Sequence, residues 1–247
     1  MKRSKLMLTV IAGAAVFLVV LAFYLPASWL AARLPPQLHC TDLGGSIWHG
    51  ECLGLRLQGA ALGDATWNLA PGSALTGRLV GDVDVRGSAI NGRADVDTSF
   101  AGVGELRDVN LRLVLDPALL PQLPRDQRGT FTADLKSLQI AAGGVPSALQ
   151  GTLELHDLRQ VGAQPLELGS YRVTFDGGTS PLSGKLHDLG GPFMVDGTVK
   201  LSAPNGYLVQ GYITGRSADA ERLVREITLG AAPDASGRST FSIEGSY

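Results

Sequence analysis

Residues 193–215 read "FMVDGTVKLSAPNGYLVQGYITG", and they decide the class of fold. Phe193, Val195, Gly197, Val199 and Leu201 alternate with Asp196, Thr198 and Lys200. Pro204, Asn205 and Gly206 interrupt, and the alternation resumes at Tyr207, Val209, Gly211 and Ile213. Side chains along a strand point to opposite faces in turn, so a period of two marks a strand with one packed and one wet face. A proline, asparagine and glycine break between two such runs is what a hairpin requires.

The same period appears at Leu53/Leu55/Leu57, Ala65/Trp67/Leu69, Leu79/Gly81/Val83/Val85 and Val109/Leu111/Leu113/Leu115. It continues at Phe131/Ala133/Leu135, Leu153/Leu155, Tyr171/Val173/Phe175 and Phe241/Ile243/Gly245/Tyr247. With 32 glycines in 247 residues, the composition is that of many short antiparallel strands joined by turns. Two stretches read as helix. In "DPALLPQL", Asp116 is an N-cap and Pro117 the first helical residue. In "SADAERLVREITLG", Ser217 caps, acids fill the first turn, Gly230 follows the end, and Leu223, Val224 and Ile227 form an apolar stripe.

The strands fall into two series. "ALGDATWNLAPGSALTGRL" from Ala61 is echoed by "ELGSYRVTFDGGTSPLSGKL" from Glu167, with Gly63 matching Gly169, Trp67 matching Val173 and Gly77 matching Gly184. Each series then has a strand, a helix and a final strand, which predicts two repeated β units, each with one short helix. The expected layout is a tail over 1–5, a membrane helix over 6–25 and a linker over 26–42. Units over 43–140 and 147–247 follow, with a joint at 141–146. The pattern leaves open whether the units form two sandwiches or one long bent sheet.

The membrane helix is read from "MKRSKLMLTVIAGAAVFLVVLAFYLPASW". Lys2, Arg3 and Lys5 precede an uncharged apolar run, Leu6 to Leu25, and about twenty helical residues span roughly 30 Å. Tyr24 and Trp29 stand at its far end, where amphipathic rings favour the interface. Positive residues stay on the cytoplasmic side, so the rest of the chain is expected across the membrane. The run is longer than the apolar core of a cleaved signal peptide. On the oxidising side, Cys40 and Cys52, the two cysteines of the chain, read as one disulfide. Closing so short a loop would stabilise the fold by about 3 kcal/mol.

Catalytic and ligand-binding chemistry finds no support. His39, His49, His156 and His187 lack metal-ligand spacing. Asp82/Asp84 and Asp95/Asp97 sit on the wet phase of their strands, where a carboxylate gains no burial to shift its pKa. "GGTSPLSGKL" from Gly177 has the wrong spacing for a phosphate loop and no following helix, so it reads as a hairpin turn. A net charge of −2 gives no footprint for nucleic acid. No enzyme, cofactor or metal is expected.

With these residues in view, the chain resembles the protein N family of the type II, or general, secretion pathway. The resemblance is carried by "GSIWHGECLGLRLQG", with Gly45, Trp48 and Gly50, and by "LGDATWNLAPGSALTGRL", with Trp67 and Pro71. In the second half it is carried by "QVGAQPLELGSYRVTFDGG", with Gly169 and Tyr171, and by the closing "FSIEGSY". It implies an accessory subunit in the bacterial inner membrane, its bulk in the periplasm, with the outer-membrane secretin and inner-membrane platform subunits as partners. It also implies structural roles for the motif tryptophans and glycines. A different class of function also fits the residues: a periplasmic carrier whose bent sheet cradles a lipid or other hydrophobic ligand.

Overall fold

A computed structural model describes residues 13, 17, 20, 21, 23–31, 38–57, 59–99, 102–117, 124–141, 145–162, 165–179, 181–202, 205–228 and 233–246. Most of the stretch expected to cross a membrane, with Lys2, Arg3 and Lys5 before it, lies outside these residues. Among the described residues, no helix is long and apolar enough to cross a membrane. Tyr24 and Trp29, at the expected interface, are exposed.

One antiparallel sheet organises the described residues. Its first edge is made by β1 (Leu38–His39) and β2 (Asp42–Gly45), which lie in line and both pair with β3 (His49–Leu57). Then follow β4 (Ala60–Leu69), β5 (Arg78–Arg86), β6 (Ile90–Ser99), β7 (Gly104–Leu115), β8 (Gln127–Ala141) and β9 (Val145–Gln160). The sheet ends with β10 (Leu166–Thr179), β11 (Leu182–Gly190), β12 (Phe193–Ser202), β13 (Gly206–Gly215) and β14 (Ser239–Ser246). From β3 onward each strand pairs with the next in sequence.

The two halves of the chain are therefore joined edge to edge. Around the stretch read as a joint, β8 and β9 form a hairpin, with Ala141 opposite Val145 and a register running back to Gln127 opposite Gln160. Part of the stretch read as a linker is also built in, through β1, β2 and a bridge from Pro26 to Ser46. A single turn of helix, α1 (Ser28–Ala31), sits beside it.

The register explains why one sheet suffices. Cys52, Val85, Leu111, Leu153, Leu186 and Phe241 belong to one cross-strand row from β3 to β14, and every other member of it is apolar or glycine. One residue away along each strand, the row through Glu51, Asp84, Asn110, Thr152, Lys185 and Ser242 is polar throughout. The alternation of the sequence thus becomes one apolar and one wet face across twelve strands.

The apolar face is packed chiefly in the second half, where the sheet curls. Strands two places apart, β9 with β11 and β10 with β12, come within 8 Å between Cα atoms, whereas a flat sheet would hold them about 9.5 Å apart. Glycines on the inner face make room. A Cβ at Gly184 would lie 2.9 Å from the Phe175 ring, and one at Gly211 would lie 2.6 Å from the Gly197 Cα. Two clusters fill the curl. Ala133, Leu135, Leu149, Phe175 and Leu182 form the first; Leu186, Phe193 and Val195 meet Ala220 and Val224 of a helix in the second.

That helix, α2 (Ala218–Ile227), starts where its capping pattern requires. Ser217 is extended and its hydroxyl accepts a hydrogen bond from the Ala220 N–H at 3.2 Å, while Asp219 and Glu221 occupy the first turn. Of the other expected helix, Asp116 and Pro117 are described and are not helical; residues 118–123 lie outside the described residues. A 3-10 helix over Pro71–Thr76 was not expected. Pro71 stands at its start, and Gly77 closes it in a left-handed conformation at φ 74°.

Candidate functional site

The residues singled out in the first half build one entrance to the sheet. Cys40 and Cys52 form a disulfide with Cα atoms 5.5 Å apart. It ties the gap between β1 and β2 to β3 and so fastens the short edge strands. Gly45 turns the chain toward Trp48 at φ +77°, and a Cβ there would meet the His49 carbonyl oxygen at 2.4 Å. The Ser46 hydroxyl accepts from the N–H groups of Trp48 and His49. Trp67 lies against Gly50, whose Cβ would be 2.3 Å from the ring, and its indole N–H donates to the Ile47 carbonyl at 3.1 Å. Trp48 is buried. These positions make packing and turn contacts.

In the second half, Gly169 sits at φ +100° in a bulge between β9 and β10, next to Tyr171, whose hydroxyl donates to the Leu168 carbonyl. Burial raises the Tyr171 pKa, and the nearby Asp188 carboxylate adds to the effect. Asp188 pairs with Arg216 at 2.5 Å. Burial alone would push the Asp188 carboxyl up. The Arg216 guanidinium and the N–H groups of Val195 and Gly190 outweigh it and hold the carboxyl below its ordinary range. Arg216 also donates to the carbonyls of Gly191 and Phe193, so the residue before the α2 cap is fastened to the β11–β12 turn. The two partners are 28 residues apart, and no sequence motif announced them.

Of the residues whose types suggested chemistry, His156, His187, Asp84 and Asp97 make ordinary strand contacts. His156 lies 2.8 Å from Glu154, and His187 lies 2.8 Å from Asp196. Asp84 pairs with Arg86, and Asp97 with Arg78. Among the described residues, no group of three His, Cys, Asp or Glu could hold a metal ion.

Among the described residues, two features are suited to binding a partner or an apolar ligand. The first is a cavity of about 760 Å³ on the inner face of the curl. Strands from β8 to β14 and the end of α2 line it, through Phe131, Leu153, Val173, Val199, Val209 and Phe241 among others. Ile227 and Ile243 also line it and are 60% and 54% exposed, so they mark its mouth. The second is the outer edge of β14. One side of this strand is in register with β13 from Ser239 to Ser246, and it is last in the order. Its entry is fixed by Asp234, which accepts from the Arg238 and Ser236 N–H groups. Those bonds, with the Arg238 guanidinium, lower its pKa to about 2. Among the described residues the two ends of the sheet thus differ: the β3 edge is covered by two short strands, and no strand pairs with the outer edge of β14.

A family model described as Type II secretion system (T2SS), protein N, matches residues 36–242. The chain belongs to this family. The matched span begins just before β1 and ends inside β14, so the family is defined on the sheet itself. A relative from Vibrio cholerae serotype O1, named Type II secretion system protein N, is 26% identical over 221 residues, which is 86% of each chain. No solved structure matches. Membership assigns the chain to type II secretion, a protein-transport system of the bacterial envelope, and implies interaction with other components of that system. The family is a component of secretion machinery and is not known for catalysis.

Proposed function

We propose that the chain is an accessory subunit of the type II secretion machinery. The N-terminal apolar run anchors it in the inner membrane, and two related β-rich halves extend into the periplasm. It binds the outer-membrane secretin and the inner-membrane platform subunits and so supports export of folded proteins. The Cys40–Cys52 disulfide fits an oxidising compartment, and the three cations before residue 6 fit a cytoplasmic start. The observation that carries the binding role is the open edge of β14, eight residues of strand whose outer N–H and C=O groups face no neighbour in the sheet order. Such an edge accepts a strand from a partner, main chain to main chain.

Crosslinking of the full-length chain in its native envelope tests this, with Ser242→Pro and Ile243→Pro as variants. Neighbouring residues of a strand direct their N–H groups to opposite edges, so one of the two prolines removes an outward donor and spares the β13 pairing. That variant is expected to keep its fold and to lose crosslinks to secretin or platform subunits at least fivefold. Undiminished crosslinks in both variants, or none to any subunit in the parent chain, would overturn the proposal.

A further inference from the structure

We infer that the curl of the second half is a binding site for the acyl tail of a membrane lipid. The site is an open-mouthed trough: strands β8 to β14 curl partway around about 760 Å³, a volume typical of sites for small hydrophobic ligands. Its surface is made by Leu153, Val173, Val199, Val209, Ile213 and their neighbours. Among the described residues the one charged residue along it is Glu154, which lies on the polar face of β9 and is engaged by Arg172 and His156.

Three observations select an acyl tail from other apolar occupants. First, β8 to β13 are each paired on both sides, so among the described residues the floor of the cavity has no strand edge to offer. An extended peptide laid there would bury its own N–H and C=O groups unmatched, which is strongly unfavourable; a hydrocarbon chain has none to lose. Second, among the described residues no basic side chain lines the cavity. Nothing inside would receive the carboxylate of a fatty acid, so the polar end of the ligand stays at the mouth. Third, the mouth is edged by Ile227 on α2 and Ile243 on β14, both apolar and well exposed, as suits a ligand that enters tail first from an apolar phase. The inner-face glycines are then explained as well. Gly184, Gly197 and Gly211 let the sheet bend around the tail, and a Cβ at any of them would collide with the neighbouring strand.

The test uses the purified full-length chain and vesicles of phosphatidylethanolamine and phosphatidylglycerol carrying a diazirine on one acyl chain. A second arm uses a diazirine-labelled free fatty acid. After illumination, labelled peptides are mapped by mass spectrometry. Labelling is expected from the phospholipid on the apolar face of β9 to β14, at residues such as Val173, Val199 and Val209, and not on Lys185 or Thr198 of the polar face. Val209→Trp and, independently, Val199→Phe fill the cavity. Each is expected to cut that labelling at least fivefold while the far-ultraviolet circular dichroism stays that of the parent. Any of three results would overturn the inference: equal labelling of both faces, undiminished labelling in a folded cavity-filling variant, or labelling of the cavity by the free fatty acid alone. So would a benzophenone at position 209 that, in the native envelope, captures a protein in place of a lipid.

Discussion

At the scale of single residues, the most consequential contact is the one between Asp188 and Arg216. It was not visible in the sequence as a pair, yet it joins the β11–β12 turn to the start of α2. The Asp188 pKa is lower in the folded chain than its ordinary value of 3.8. Between the two values the unfolded chain binds more protons. The pair's contribution is therefore complete above about pH 4 and is lost as the pH falls through the lower folded value. Asp188→Asn is expected to cost roughly 1–2 kcal/mol at pH 7, which for a chain of this size lowers the thermal midpoint by about 3–6 °C. The gap to the parent should close in strong acid. Thermal scans of both proteins across that range check this, and a gap that persists in acid, or none at pH 7, would contradict it.

At the scale of the elements, the curl depends on glycines facing inward. Gly211→Val places a Cβ 2.3 Å from the Asp196 carbonyl oxygen and 2.6 Å from the Gly197 Cα, so β12 and β13 must separate. A loss of about 2–3 kcal/mol is expected from such overpacking, read as a lowered urea midpoint. Gly178→Ala, where an added Cβ meets nothing within 4 Å, should leave the midpoint nearly unchanged. Equal effects of the two substitutions would contradict a curl held by close strand approach. The elements themselves were largely legible. Alternation located the strands, and Ser217, with the acids behind it, located α2. A bent sheet was one of the two arrangements expected, but the place of the bend was not legible, because a glycine reads alike in a sequence whether it makes a turn or the floor of a curl. The 3-10 helix at Pro71 was hidden in the same way, since a Pro-Gly-Ser run signals only that a strand has ended. Asp188 and Arg216 stayed hidden because strand register and the return of α2, not sequence distance, bring them together.

At the scale of the whole molecule, a sheet with one apolar face meets the same demand as a sandwich, to remove that face from water, without a second sheet. The described residues do it by curling β8 to β14 and laying α2 over the end. The sequence left two arrangements open for its halves, and the β8–β9 hairpin, the longest strand pair of the sheet, joins them. That continuity gives the chain both of its candidate binding features, since the cavity needs β8 and β9 as its far wall and the meander leaves β14 as its open edge. Native-state hydrogen exchange of the full-length chain tests continuity most directly. Slow exchange is expected through β8 and β9, with amides from Phe131 to Leu135 and from Gly151 to Leu155 protected together with those of β7 and β10. Fast exchange across that hairpin, between two separately protected halves, would contradict a single continuous sheet.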